Sequence, residues 1–119
     1  MKNGFVFLHR KLLDNCLMQN HLAMSLFIHL LLSATHQDYD AGVPGGGVVR
    51  LKRGQWITGR KRLAGELGVT EQRVRTALLL LEGLGIITSN STNRYSIITI
   101  VKYEEYQNVK DKVASNPTK

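Results

Sequence analysis

TGRKRLAGELGVTEQRVRTALLLLEGLGIITSNSTNRYSIITIV, residues 58–101, is the stretch whose reading decides the fold. From Arg60 to Leu67 one face carries Leu63, Ala64 and Leu67, the apolar stripe of a short helix, and Gly68 stands where a helix-ending glycine frees the chain to turn. Val69 fills the turn with an apolar residue. Thr70 is a favoured N-cap for a second helix, and Glu71 suits the positive end of that helix. After Gly85 come two β-rich runs, residues 86–89 and 94–101, separated by the polar turn formers Asn90, Ser91, Thr92 and Asn93. Helix, glycine-containing turn, helix and two-stranded ribbon is the order of a winged helix-turn-helix.

The outward face of the second helix must do any reading. At ~100° per residue, with Val74 as origin, Val74, Ala77, Leu78, Leu81, Leu84 and Gly85 gather on the core side. Gln72, Thr76, Leu79 and Gly83 point the other way, with Arg73 and Arg75 on the flanks. A helix lying in the major groove meets base edges with its N-terminal residues, so Gln72, Arg73 and Thr76 are the expected base readers. Gln pairs with adenine and Arg with guanine through two hydrogen bonds each, the geometry that carries sequence information. Arg60, Lys61, Arg62 and Arg75 are placed for phosphates, and Arg94 at the ribbon tip for a phosphate strand or the minor groove.

Charge supports a polyanionic partner. The 119-residue chain holds 16 Lys and Arg against nine Asp and Glu, a net +7 with pI near 9.9. Eight of those cations, Arg50, Lys52, Arg53, Arg60, Lys61, Arg62, Arg73 and Arg75, fall between positions 50 and 75 with only Glu66 and Glu71 beside them, a local +6. An ordinary solvated surface mixes the signs, so this concentration reads as a nucleic-acid footprint.

Outside this stretch, residues 4–8 (GFVFL) read as a short strand followed by a turn of helix ending near Asp14-Asn15. Between His21 and His36, Leu22, Leu26, Phe27, Leu30, Leu31 and Ala34 recur at spacings of three and four, a buried helix face that Asn20 would cap. His21, Ser25, His29 and His36 lie on or near its other side. His29 and His36 are two turns apart with no carboxylate at i+4, so they read as structural rather than metal-ligating. Residues 38–47 cannot continue a helix and form a loop or hairpin tip. Gly45, Gly46 and Gly47 lack the Gly-Lys-Ser/Thr that a phosphate loop needs. Residues 48–51 read as a strand, Lys52-Arg53-Gly54 as a turn, and residues 55–58 as a second strand with Trp56 in the core under the helices.

The length and 43% hydrophobic content suit one α+β domain over residues 1–107, with 108–119 a polar flexible tail or a truncated linker. Cys16, the single cysteine, excludes an internal disulfide and a cysteine-based zinc site, and reads as a small half-buried hydrophobe in a reducing cytoplasm. Paired carboxylates, a metal set and a nucleophile beside a base are all missing as motifs. We therefore expect no enzyme, no cofactor and no small-molecule substrate. No run approaches the ~20 apolar residues of a membrane span.

The runs LHRKLLDN (8–15), LLLSATH (30–36), LKRGQWITGRKRLAGELGVTEQRVRTALLLLEGLGIIT (51–88) and STNRYSIITIVKYEEYQ (91–107) resemble the N-terminal winged-helix domain of phage and prophage replication proteins, the replisome-organiser or DnaD-like group. The order and spacing of these pieces carry the resemblance, which spans nearly all of residues 4–107. It implies a domain that binds origin DNA to start phage replication, often followed by a linker and a domain that recruits host replication proteins. On that basis the chain is either the DNA-binding part alone or a fragment. Family positions equivalent to Leu79 and Leu80 are usually basic or polar. Both leucines fall on the helix half away from the core, where they would serve a protein contact, a homodimer or a replication-protein partner. Two alternatives thus stay open beside replication: a transcriptional regulator of the same fold, and an adaptor that binds a protein through the Leu79/Leu80 face.

Overall fold

In the computed structural model, residues 5–8, 10–14 and 16–107 are described. The expected tail, 108–119, lies outside them, as does Gly4 of the expected N-terminal strand. The described chain is a compact α+β body with four α-helices and two small antiparallel sheets.

Two 3₁₀ turns, Arg10–Asp14 and Cys16–Gln19, lead into helix α1, His21–Ser33. Asn20 caps α1 as its sequence requires: the side-chain oxygen accepts from the Ala23 N–H at 3.0 Å. Strands β1 (Tyr39–Gly42) and β2 (Val48–Leu51) form a hairpin, and β3 (Gln55–Thr58) follows. Helices α2 (Arg60–Leu67) and α3 (Glu71–Gly83) come next, then β4 (Ile87–Ser91), β5 (Ser96–Ile100) and α4 (Tyr103–Gln107).

Although β2 and β3 are separated by only a short turn, they belong to different sheets. β2 pairs with β1, whereas β3 pairs with β5, giving a three-stranded sheet in the order β3-β5-β4. The chain breaks between them at Gly54, whose N–H donates to Thr35 and whose carbonyl accepts from Ile100. A Cβ at Gly54 would lie 2.8 Å from that of Tyr103, and φ is +87°, so this crossing admits glycine alone.

The core collects the faces that the helical spacing marks out. Leu26, Phe27, Leu30 and Leu31 of α1 pack with Leu63 of α2, Val74, Ala77 and Leu81 of α3, and Ile87, Ile98 and Ile100 of the sheet. Fully burying each large aliphatic chain contributes about 2 kcal/mol. The helix ends at Ser33, three residues short of the expected His36, and Ala34 completes the buried stripe just beyond it.

Several expectations are corrected. Phe5–Leu8 form no strand; the Gln107 side chain instead pairs with the Phe7 backbone, accepting from its N–H and donating to its carbonyl, both at 2.8 Å. An amide group on α4 thus takes the place of a neighbouring strand. Trp56 is half-buried on the edge strand β3 and is not among the core residues. Cys16 is exposed, because the turn that carries it buries Leu17 alone. Leu84 is 41% exposed and Gly85 is exposed in a left-handed turn, since α3 ends at Gly83 and carries neither onto its buried face.

Candidate nucleic-acid interface

The junction of α2 and α3 is built by local chemistry. Gly68 closes α2 with φ +71°, and its N–H and that of Val69 both reach the Ala64 carbonyl. Val69 is half-buried against the core, filling the angle between the helices. The Thr70 hydroxyl then accepts from the Arg73 N–H at 3.2 Å, and Glu71 stands in the first turn.

That geometry leaves Gln72, Arg73, Arg75 and Thr76 exposed on α3. The Thr76 hydroxyl donates to the Gln72 carbonyl at 3.1 Å, so its proton is held within the helix while its lone pairs stay available. Leu79 is 52% exposed. Leu80 is not its equal: it is half-buried and packs against the core, which corrects the pairing of the two as one outward apolar face. The difference is geometric, since a residue ~100° further round the helix falls back toward the core.

The basic run divides into two populations. Arg50 pairs with Asp40 at 3.2 Å across the β1–β2 hairpin. Arg53 is an internal tie: it donates to the carbonyls of His36 at 2.7 Å and Gln107 at 3.2 Å, stands 5.1 Å from the Tyr103 ring centroid, and forms an ion pair with Glu104 through Nε at 2.9 Å. That last contact is an ion pair rather than a directed hydrogen bond, because the N–H is not aimed at the carboxylate. Arg62 pairs with Glu66 one turn along α2, and Glu66 also meets His29 of α1 at 3.3 Å. Among the described residues, Arg60, Lys61, Arg73, Arg75 and Arg94 make no ion pair.

Arg94 sits at the β4–β5 turn. That turn is tighter and later in the chain than the polar run 90–93 suggests, because Asn90 and Ser91 belong to β4 and pair with Ile97 and Ser96. The Thr92 hydroxyl accepts from the N–H groups of Arg94 and Tyr95, both at 3.2 Å. The arginine side chain then crosses to the other hairpin and lies against Gly45.

Arg94 also lines an open cleft of about 390 Å³. Gly42 and Pro44 of the β1–β2 hairpin form one wall, Arg94 and Tyr95 another. The end of β3 and the start of α2 supply Ile57, Thr58, Gly59, Lys61 and Arg62. Three of the expected phosphate ligands, Lys61, Arg62 and Arg94, are therefore brought to one place. Neither the cleft nor the part played by Pro44 and Tyr95 is visible in the local sequence, because its walls join positions some fifty residues apart. The nearest signal is the glycine run 45–47, all at positive φ, which makes a hairpin tip thin enough for a side chain to lie on.

Elsewhere, Tyr103 has its hydroxyl pKa pushed up by burial, an effect that Arg53 opposes and Glu104 reinforces. No group of three or more His, Cys, Asp or Glu among the described residues could hold a metal ion. No helix there is long and apolar enough to cross a membrane. Comparisons of the chain with protein-family models, with curated proteins and with solved structures gave no match.

Proposed function

We propose that this protein is a winged helix-turn-helix that binds duplex DNA, with α3 as the reading helix and the β4–β5 hairpin as the wing. The order α1, β3, α2, α3, β4, β5 and the strand order β3-β5-β4 support that reading. The observation that carries it is the set of five arginines and lysines on α2, α3 and the β4–β5 tip that have no carboxylate partner among the described residues. Unneutralised cations on a structured surface favour a phosphate backbone, and their release of counterions makes such binding strongly salt-dependent. Gln72, Arg73 and Thr76 are the base readers, and Arg60, Lys61, Arg62, Arg75 and Arg94 hold phosphates.

A role in starting phage or prophage DNA replication, in the cytoplasm, rests on the sequence resemblance to replisome-organiser proteins. A transcriptional regulator of the same fold would use the same residues; selection of preferred sites from random duplexes, mapped onto the source genome, separates the two. The test of DNA binding itself is fluorescence anisotropy with a labelled duplex across a salt series. Absence of binding at low salt would overturn the proposal. The exposed Leu79 favours a second reading, a winged-helix adaptor or homodimer; a sedimentation profile that Leu79→Glu leaves monomeric and unchanged, with no partner retained, rules against it.

A further inference from the structure

The cleft between the two hairpin tips has a composition that duplex binding alone does not use. Its floor and walls include Ile57, Pro44 and Tyr95, while Lys61, Arg62 and Arg94 bring positive charge to the same space. Lys61 and Arg94 have no ion pair among the described residues. At about 390 Å³, the cleft lies within the ~300–1,000 Å³ range of sites that enclose a small molecule.

A phosphate on an intact double helix would rest on the rim and leave the apolar walls bare. A stacked base pair is held inside the duplex and cannot enter. An unstacked nucleotide has both chemistries: a flat apolar base for an aromatic and aliphatic surface, and an anion one sugar away for the cations.

We propose that this cleft receives one unpaired nucleotide of a DNA strand, with its base against Tyr95, Pro44 and Ile57 and its phosphate among Lys61, Arg62 and Arg94. The inference rests on the DNA-binding reading for the identity of the ligand, and it extends that reading from plain duplex to DNA with a frayed or opened end. Arg94 lines the cleft and also lies against Gly45.

Gly42 allows a clean block. It lines the cleft, and a Cβ added there meets nothing within 4 Å, so Gly42→Leu adds bulk at the cleft wall with no clash at its Cβ. The probes are a short oligothymidylate, inorganic phosphate and a blunt duplex, titrated into the full chain with amide NMR shifts for the first two and anisotropy for the third. Oligothymidylate is expected to shift the amides of Gly42, Gly59 and Tyr95. In Gly42→Leu the shifts of Gly59 and Tyr95 should vanish while blunt-duplex affinity stays within about twofold, the usual span for a surface substitution. Tyr95→Ala should weaken oligothymidylate binding by about fivefold or more, the lower end of what one stacked base contributes.

Shifts absent from the wild-type cleft, or unchanged in Gly42→Leu, overturn the proposal. Equal shifts with inorganic phosphate reduce the cleft to an anion site and also overturn it, as does a parallel loss of blunt-duplex affinity in Gly42→Leu. Failure of the blunt duplex to bind the wild type counts instead against the DNA-binding reading, while the oligothymidylate titration still decides the cleft.

Discussion

The guanidinium of Arg94 lies so close to Gly45 that a Cβ there would sit 2.5 Å from Nη1. Two hairpin tips nearly fifty residues apart are thereby joined through the one atom that glycine lacks. Gly45 has φ +87° and its neighbour Gly46 +94°, but an added Cβ at Gly46 meets nothing.

The pair makes a controlled comparison. Gly45→Ala and Gly46→Ala should each lose about 1 kcal/mol to backbone strain, measured by urea denaturation. Gly45→Ala alone should also displace Arg94, read as a shift of its Nε–Hε resonance. Equal displacement in both variants would show that backbone strain, not the contact, sets the position of Arg94.

On α3 and α2 the roles assigned to neighbouring residues separate by experiment. Arg73→Ala should cost about 1–3 kcal/mol on the preferred site and relax the preference at one position, and Gln72→Ala should do the same at another. Lys61→Ala should weaken all duplexes alike and lower the salt slope by about 1. A uniform loss from Arg73→Ala would move it into the phosphate set.

The Gln107 amide, 7% exposed, holds both polar groups of the Phe7 backbone. Gln107→Ala leaves them without that partner and should destabilise the fold by about 1–3 kcal/mol. Gln107→Glu can still accept from the Phe7 N–H but turns a carboxylate oxygen toward its carbonyl, and should also destabilise. A loss below about 0.5 kcal/mol in both, the range of an ordinary surface change, would mean that this pairing does not anchor the N-terminal segment.

Tyr103 sets a direction for stability against pH. Burial raises its pKa above the ordinary 10.0, so between the unfolded and folded values the native state binds more protons than the unfolded one. The stabilisation is complete below the ordinary value and is lost as pH rises through the raised one. Thermal midpoints of the wild type should therefore fall more steeply above pH 10.0 than those of Tyr103→Phe, which keeps the ring over Gly54 and Arg53. Parallel curves would exclude Tyr103 as the titrating group.

The amino-acid sequence by itself determined helices α1, α2 and α3, together with the starts of α1 and α3 and the end of α2. Asn20 and Thr70 cap through groups three residues away, Gly68 turns the chain alone, and the stripes at three and four spacing mark faces that are buried. These interactions close within a turn of helix, so the residues that make them stand beside one another in the chain. The exposure of Gln72, Arg73, Arg75 and Thr76 on α3 was legible for the same reason.

Tertiary structure decided everything that depends on a distant partner. β3 joins β5 rather than β2 because a crossing at Gly54 against Tyr103 separates the two sheets. Arg53 turns inward because the carbonyls of His36 and Gln107 converge on it, whereas Lys61 and Arg94 meet no carboxylate among the described residues. Leu80 and Leu79, adjacent in sequence, are separated by the side of α3 that the core covers. The cleft exists only where two hairpin tips and the start of α2 meet. No local pattern encodes that meeting, because its geometry follows from the packing of the whole body.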